Sequence, residues 1–413
     1  MAAMMWKRLK EPAWFLAGIL ALAAGFGPAP AARAQAPTPE AMPRQITPAE
    51  MLLAAVEANR VDIIKYLLDR GGEPNAAGAD GSTALMLAAA AGHRDAASYL
   101  LARGADVNRA RADGWTALMA AADAGRAELV PVLAQAGAEL EAREERDGLT
   151  ALMIAARGES PAAVAALVEA GADLSARDRR RGLSALHHAL SSRRDLTATG
   201  TRATALAVAA ELIAAGADVD APAADGWTPL MSALDSGEED RVRLVLDAGA
   251  RLDAETGDGR TPLAVAVGRG APVLVRLLIE RGATAEGEAG GRALAAAAAS
   301  GSLEIVQMIA EAGAALDGAD AKGRTALAIA AAGGLDEMAV YLLAKGAKPN
   351  ASNPVDGTTA LMWAANAGFM DIVKALLAAG ADVGVVAKDG WDAVKAAEMA
   401  GHDDIARLLR RGA

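Results

Sequence analysis

Apolar and polar positions along this chain recur at a spacing of mostly 33 or 34 residues. Each period closes on a glycine: Gly71, Gly104 and Gly137 are followed by Gly171, Gly216, Gly249, Gly282, Gly313, Gly346 and Gly380. About 21 residues before each stands a short box, such as Thr83-Ala-Leu-Met, Thr228-Pro-Leu-Met or Thr359-Ala-Leu-Met. The threonine suits a helix N-cap, since its side chain accepts from free backbone amides. Pro229 and Pro262 then occupy the first helical position, where a missing N–H costs nothing, and Thr47-Pro48 repeats the device. A mid-period glycine (Gly92, Gly125, Gly237, Gly270, Gly301, Gly334, Gly368, Gly401) suits a left-handed turn. The pattern therefore predicts two antiparallel helices per period, separated from the next pair by Asp-Gly finger turns such as Asp80-Gly81 and Asp258-Gly259. One such unit cannot bury its own apolar face, and stacking does it instead.

These residues resemble the ankyrin repeat. Unit 80–112 carries nearly all of its signature: Asp80-Gly-Ser-Thr-Ala-Leu, Gly92-His93, Leu100-Leu101 and Gly104-Ala-Asp-Val-Asn108. The resemblance covers residues 47–413. It implies an all-α fold, an ankyrin-repeat solenoid of about eleven helix-turn-helix units with β-hairpin fingers. Layers about 10 Å thick would give a curved rod on the order of 100 Å long. Aromatic residues are only 3 %, so the expected core is Ala, Leu and Val. Two units depart from the pattern. One carries 11 extra residues, an inserted loop near 191–202 between its two helices. The unit at 289–321 has lost its box, reads Gly290-Gly291-Arg-Ala-Leu, and is expected to be the weakest junction. Its Gly287–Gly291 stretch is placed on a finger.

The resemblance implies a protein partner, bound on a concave face made by finger tips and first helices. The tip residues before the box are Trp115, Leu149, Leu183 and Trp227, followed by Arg260. Four apolar tips in a row predict an exposed stripe about 30 Å long, with tryptophan as anchor. The competing expectation is that these tips pack on neighbouring fingers. First-helix residues facing the same groove include Asp123, Arg157, Asp235, Asn366 and Met399. A second cluster, Arg177, Arg179, Arg180 and Arg181 with Arg193, Arg194 and Arg202 of the inserted loop, is a candidate anionic-ligand site, partly neutralised by Asp178 and Asp195. Met119, Met153, Met231 and Met362 fill the place of the box histidine, which only His187 keeps; the methionines are expected in the core and the histidine between units.

Residues 1–34 read as a secretory signal: Lys7, Arg8 and Lys10, then an uncharged apolar run from Ala13 to Gly27, then Ala32-Arg33-Ala34 for cleavage after Ala34. The run is about 15 residues, short of the ~20 a spanning helix needs. The expectation is a bacterial protein that is periplasmic or secreted, with residues 35–46 a disordered Pro-rich linker and no membrane span after cleavage. An uncleaved anchor is the alternative, and with it a structural scaffold at the cell envelope. No cysteine is present, which removes disulfides, thiol catalysis and Cys-ligated metals together. The chain carries 41 basic and 52 acidic residues; without the signal these become 37 and 51, a net charge of −14. That disfavours nucleic acid and favours a basic partner surface. His187 and His188 are a poor chelate, and Glu144-Glu145 is expected to be solvated. No His-Glu-x-x-His, Gly-x-Ser-x-Gly or phosphate-loop motif occurs. The reading is a monomeric, non-catalytic protein–protein interaction module with no cofactor, no metal and no small-molecule substrate.

Overall fold

The computed structural model describes residues 47–191 and 201–412. They fall into two compact units, one through Glu139 and one from Leu140 onward. The first holds the helix pairs α1 (Pro48–Glu57) and α2 (Val61–Asp69), α3 (Ala84–Ala91) and α4 (Arg94–Ala102), and α5 (Ala117–Asp123) and α6 (Val130–Gln135). The second opens with α7 (Ala151–Arg157) and α8 (Pro161–Glu169), α9 (Ala185–Ser191) and α10 (Thr201–Ala214), α11 (Pro229–Ser236) and α12 (Glu239–Asp247), and α13 (Pro262–Gly268) and α14 (Pro272–Glu280). It continues with α15 (Gly287–Ala299) and α16 (Leu303–Glu311), α17 (Ala326–Gly333) and α18 (Asp336–Ala344), α19 (Ala360–Ala367) and α20 (Met370–Ala378), and α21 (Ala393–Met399) and α22 (Asp403–Gly412).

The local chemistry of the box builds these pairs. Thr47, Thr83, Thr116, Thr150, Thr228, Thr261 and Thr325 each accept the third amide of the helix they precede, at 3.1–3.4 Å. Each such cap is worth about 1 kcal/mol. The mid-period glycines then end the first helices in left-handed conformation, as at Gly92 (φ 80°) and Gly237 (φ 79°). Within each unit, first helices pack on neighbouring first helices and second helices on neighbouring second helices, giving two layers. A first helix inside a unit is enclosed on three sides, by the first helices before and after it and by its own second helix, so α11 buries Pro229 through Leu234 without a break. Small Ala side chains permit that close approach, while Leu and Val from the second helices close the core. Met119, Met153, Met231 and Met362 are all buried there.

The fingers are tighter than β-hairpins. Among the described residues the only sheet-like pairings are single bridges, Ala77 with Thr83, Ala319 with Thr325, Ser352 with Thr359 and Val386 with Asp392. Too few residues flank each turn to extend a ladder. Side chains do the cross-linking instead. Asn108 Nδ2 donates to the Gly137 carbonyl at 2.9 Å while its Oδ1 accepts the Glu139 amide at 2.8 Å. Asn350 makes the same pair of bonds to Gly380 and Asp382. Glu141, Asp220 and Asp317 keep only the accepting half, towards Asp173, Arg251 and Lys348.

The degenerate repeat is corrected by the structure. Gly287–Gly291 does not form a finger but the first turns of α15, which has 13 residues against seven in α13 and eight in α17. The glycines are there for space. A Cβ on Gly290 would lie 1.5 Å from the Ala285 carbonyl oxygen, and one on Gly291 would lie 2.6 Å from Gly318 Cα. Gly290→Ala is therefore expected to destabilise the chain by about 1–3 kcal/mol, against the helix propensity of alanine. Gly268→Ala, at a helical site with open space around it, is expected to gain up to about 1 kcal/mol. Urea unfolding of the two variants checks the opposite signs. The other irregular repeat takes up part of its insertion by lengthening α10 to 14 residues. Residues 192–200 of that insertion lie outside the described residues, as do residues 1–46, where the sequence predicts a signal and a linker.

Candidate functional site

Trp115 and Asp123 stand in the first unit, and the other expected docking residues stand in the second. Trp115 is half-buried, with its amide donating to Asp113 Oδ1 at 3.2 Å and Arg111 over its ring at 5.9 Å. Asp123 is exposed at the end of α5.

In the second unit the expected exposed stripe is absent. Leu149 is 2 % exposed, Leu183 7 % and Trp227 9 %. The reason lies in buried acids at the base of the fingers. Glu144, expected in solvent, accepts the amides of Arg146, Asp147 and Leu149 at 2.7–3.0 Å. Burial alone would raise its carboxyl; the bonds from Leu149 and its neighbours outweigh this and hold it below the usual range. One repeat on, Asp178 accepts the amides of Arg181 and Gly182 at 2.8 Å and meets His188 Nε2 at 3.1 Å. Burial opposes its ionisation too, and the bonds from His188 and the amides override it, leaving the carboxyl far below the usual range. These acids curl the fingers inward and turn the tip leucines into packing residues.

Trp227 is tied from several sides. Its indole Nε1 donates to Ser232 Oγ at 3.0 Å, and Arg181 and Arg260 lie over its ring at 5.9 and 5.4 Å. Its carbonyl accepts from the Ala223 amide at 2.8 Å and from His187 Nε2 at 3.0 Å. His187 Nδ1 in turn accepts the Ser184 amide at 3.2 Å. This histidine therefore joins the fifth helix pair to the sixth, as the resemblance implies. Burial pushes it down to about 4, against the bond to Trp227.

The remaining candidates are accessible but dispersed. Arg157 is exposed at the end of α7. Asp235 is half-buried and meets Arg269 at 3.7 Å. Arg260 is exposed, paired with Asp258 at 2.9 Å. The arginine cluster fans apart. Arg177 turns partly inward, Arg179 lies against Gly148, Arg180 points outward near Asp147 at 3.7 Å, and Arg181 reaches Asp225 at 3.6 Å. Arg193 and Arg194 lie outside the described residues.

Large apolar side chains are exposed elsewhere in the second unit, Val273 and Val340 on the second helices α14 and α18 and three others on fingers and a first helix. Val355 and Val386 on the last two fingers are more than half exposed, and Met399 at the end of α21 is 81 % exposed. The two fingers are joined, since Lys388 Nζ donates to the carbonyls of Pro354 and Val355 at 2.8 and 2.9 Å. Beside them Trp363 of α19 meets Trp391 edge-on, ring centres 5.9 Å apart. Met399 was read in the sequence as facing the groove; Val355 and Val386 were not, because nothing in their spacing marks them as exposed. Among the described residues no group of three His, Cys, Asp or Glu is placed to hold a metal.

Paired helices, capped boxes and cross-linked fingers define a repeat protein rather than a single-core globule. The family model for ankyrin repeats in three copies matches residues 51–144, 201–289, 283–353 and 348–413, and the single ankyrin repeat matches 147–179. The chain belongs to the ankyrin repeat family. Among curated proteins it is similar to Cyclin-dependent kinase 4 inhibitor B of Homo sapiens, 37 % identical over 110 residues, covering 26 % of this chain and 78 % of that protein. It is similar to Cyclin-dependent kinase inhibitor 2A of Homo sapiens at 36 % over 113 residues, 27 % of this chain and 70 % of that one. A stretch of 106 residues is 35 % identical to Glycerophosphocholine phosphodiesterase gde1 of Schizosaccharomyces pombe, covering 26 % of this chain but only 9 % of that protein. The family and the two inhibitors support a protein-interaction role for the chain.

Proposed function

We propose that this chain is a non-catalytic binding module that holds one partner protein on the fingers and first helices of its second unit. The observation that carries the reading is the exposure of Val355, Val386 and Met399 on fingers and a first helix. Large apolar side chains left in water mark docking surfaces when they gather. The stacked repeats hold that surface before binding, which lowers the ordering cost of association. Similarity to two kinase inhibitors supports a stoichiometric mode of action, in which occupancy of the partner is itself the effect. Met399→Asp is expected to weaken partner binding at least about tenfold while leaving helicity unchanged, since its side chain supports no packing. Calorimetric titration with circular dichroism as control reads both.

Export belongs to the same proposal. The segment of residues 1–34 supports it, and so does the lack of cysteine, which leaves nothing to form disulfides in an oxidising compartment. No helix among the described residues is long and apolar enough to cross a membrane. Recovery of a chain beginning at Gln35 from the soluble periplasm is the expected result. Retention in the membrane with Met1 intact would favour an anchored scaffold instead.

A further inference from the structure

Beside the early start of α15, where other repeats place a finger, a recess of about 190 Å³ opens in the second unit. Its inner wall is apolar, with Leu263, Ala283 and Ala293 all more than nine-tenths buried. Its outer lining is acidic, from Asp253, Glu255 and Glu286. Asp253 is committed to Arg251 at 3.0 Å, and the Thr261 hydroxyl is committed to capping α13. Glu255 and Glu286 are exposed and have no hydrogen bond or ion pair to any described residue. Glu286 stands at the N-cap of α15 without its side chain capping that helix.

Size narrows the occupant. The recess has room for roughly six waters at ~30 Å³ each, below the ~300 Å³ at which small-molecule sites begin. A single side chain of another molecule fits. Charge then chooses among side chains. Two unpaired carboxylates repel an acidic end and give a purely apolar one no advantage. A long basic side chain matches both parts, laying its aliphatic stem on the apolar wall and its cation at the rim. Arginine matches better than lysine, because its planar fork reaches two acceptors at once.

We propose that this recess is a socket for one basic side chain, arginine before lysine, presented by the partner protein. The proposal rests on the protein-binding reading and adds an anchor to it. The test is an NMR titration of residues 35–413 with Nα-acetyl-arginine amide, and with the corresponding leucine and glutamate derivatives. The arginine derivative is expected to give saturable shifts at Thr261, Ala283, Ala289 and Ala293, weakened by added salt. Glu255→Gln and Glu286→Gln should each weaken it about tenfold; both side chains are exposed and unpaired, so the fold is undisturbed. Ala289→Leu, which fills the recess, should abolish the shifts. No shifts with arginine, or equal shifts with leucine, would overturn the socket. Neither result bears on whether the chain binds a protein at all. Conversely, a partner bound equally well by the Glu255→Gln/Glu286→Gln chain would overturn the socket and leave the protein-binding reading standing.

Discussion

Trp227→Ala is expected to cost about 3–5 kcal/mol of stability, and to do so whether or not a partner is present. The indole is 9 % exposed, donates to Ser232, and is covered by Arg181 and Arg260. Truncation removes a large buried surface, orphans the Ser232 hydroxyl and frees two guanidiniums. In a stacked array the loss is local first, because each repeat contacts only its neighbours. Amide exchange should therefore quicken across residues 183–236 well before the last repeats respond. Trp115→Ala, at a half-buried position, is expected to cost nearer ~1 kcal/mol. Unchanged exchange in Trp227→Ala, together with collapsed partner affinity, would restore Trp227 as a binding anchor.

The second large effect is a pH dependence centred on His187. Both ring nitrogens are engaged in the neutral form, Nδ1 accepting from the Ser184 amide and Nε2 donating to the Trp227 carbonyl. A proton on Nδ1 would face the Ser184 N–H at 3.2 Å and lose that bond, with only the Ser184 hydroxyl at 2.8 Å left to accept it. The folded value is depressed, to about 4 from an ordinary 6.5, chiefly by burial. The unfolded chain therefore binds the proton first. Stability is complete above the unfolded value and falls as pH drops from 6.5 towards 4. Between about pH 7.5 and 4.5 the loss amounts to roughly 2–3 kcal/mol. His187→Met copies the residue found at Met153 and Met231 in flanking repeats. It should cost about 1 kcal/mol near neutrality, with the Trp227 carbonyl still held by the Ala223 amide. In acid the order should invert, the variant being the more stable. Exchange over residues 183–236 at the two pH values reads the crossover, and parallel pH profiles would refute it. Asp178 shifts downward as well, so its contribution is lost only below the ordinary carboxylate range of 3.8, outside this window.

What the sequence made legible was what local rules decide. Threonine caps, first-position prolines and mid-period glycines specify helix ends within a few residues, and the repeat period specifies the stacking. What it hid was the direction of side chains at the finger tips. Leu149 and Leu183 look like exposed tips until Glu144 and Asp178 are seen gathering amides beneath them. A signal was present. An acid five residues before an apolar tip recurs in consecutive repeats, and Asn353 with Thr358, both buried, repeats the spacing. Such a pair closes a finger on itself. The early start of α15 was hidden for another reason. Gly287–Gly291 reads as a breaker locally, and only the close approach of Ala285 and Gly318 shows why glycine is helical there.

The central claim is that a partner docks on the fingers and first helices of the last repeats. Its most direct test is capture from periplasmic extract with residues 35–413, in parallel with a Val355→Asp/Met399→Asp chain. The expected result is a protein held in one-to-one ratio by the unaltered chain and lost by the variant, both chains melting alike. A partner captured equally by both would contradict the placement of the surface. A chain that captures nothing, with its N-terminus intact in the membrane, would contradict the binding module itself.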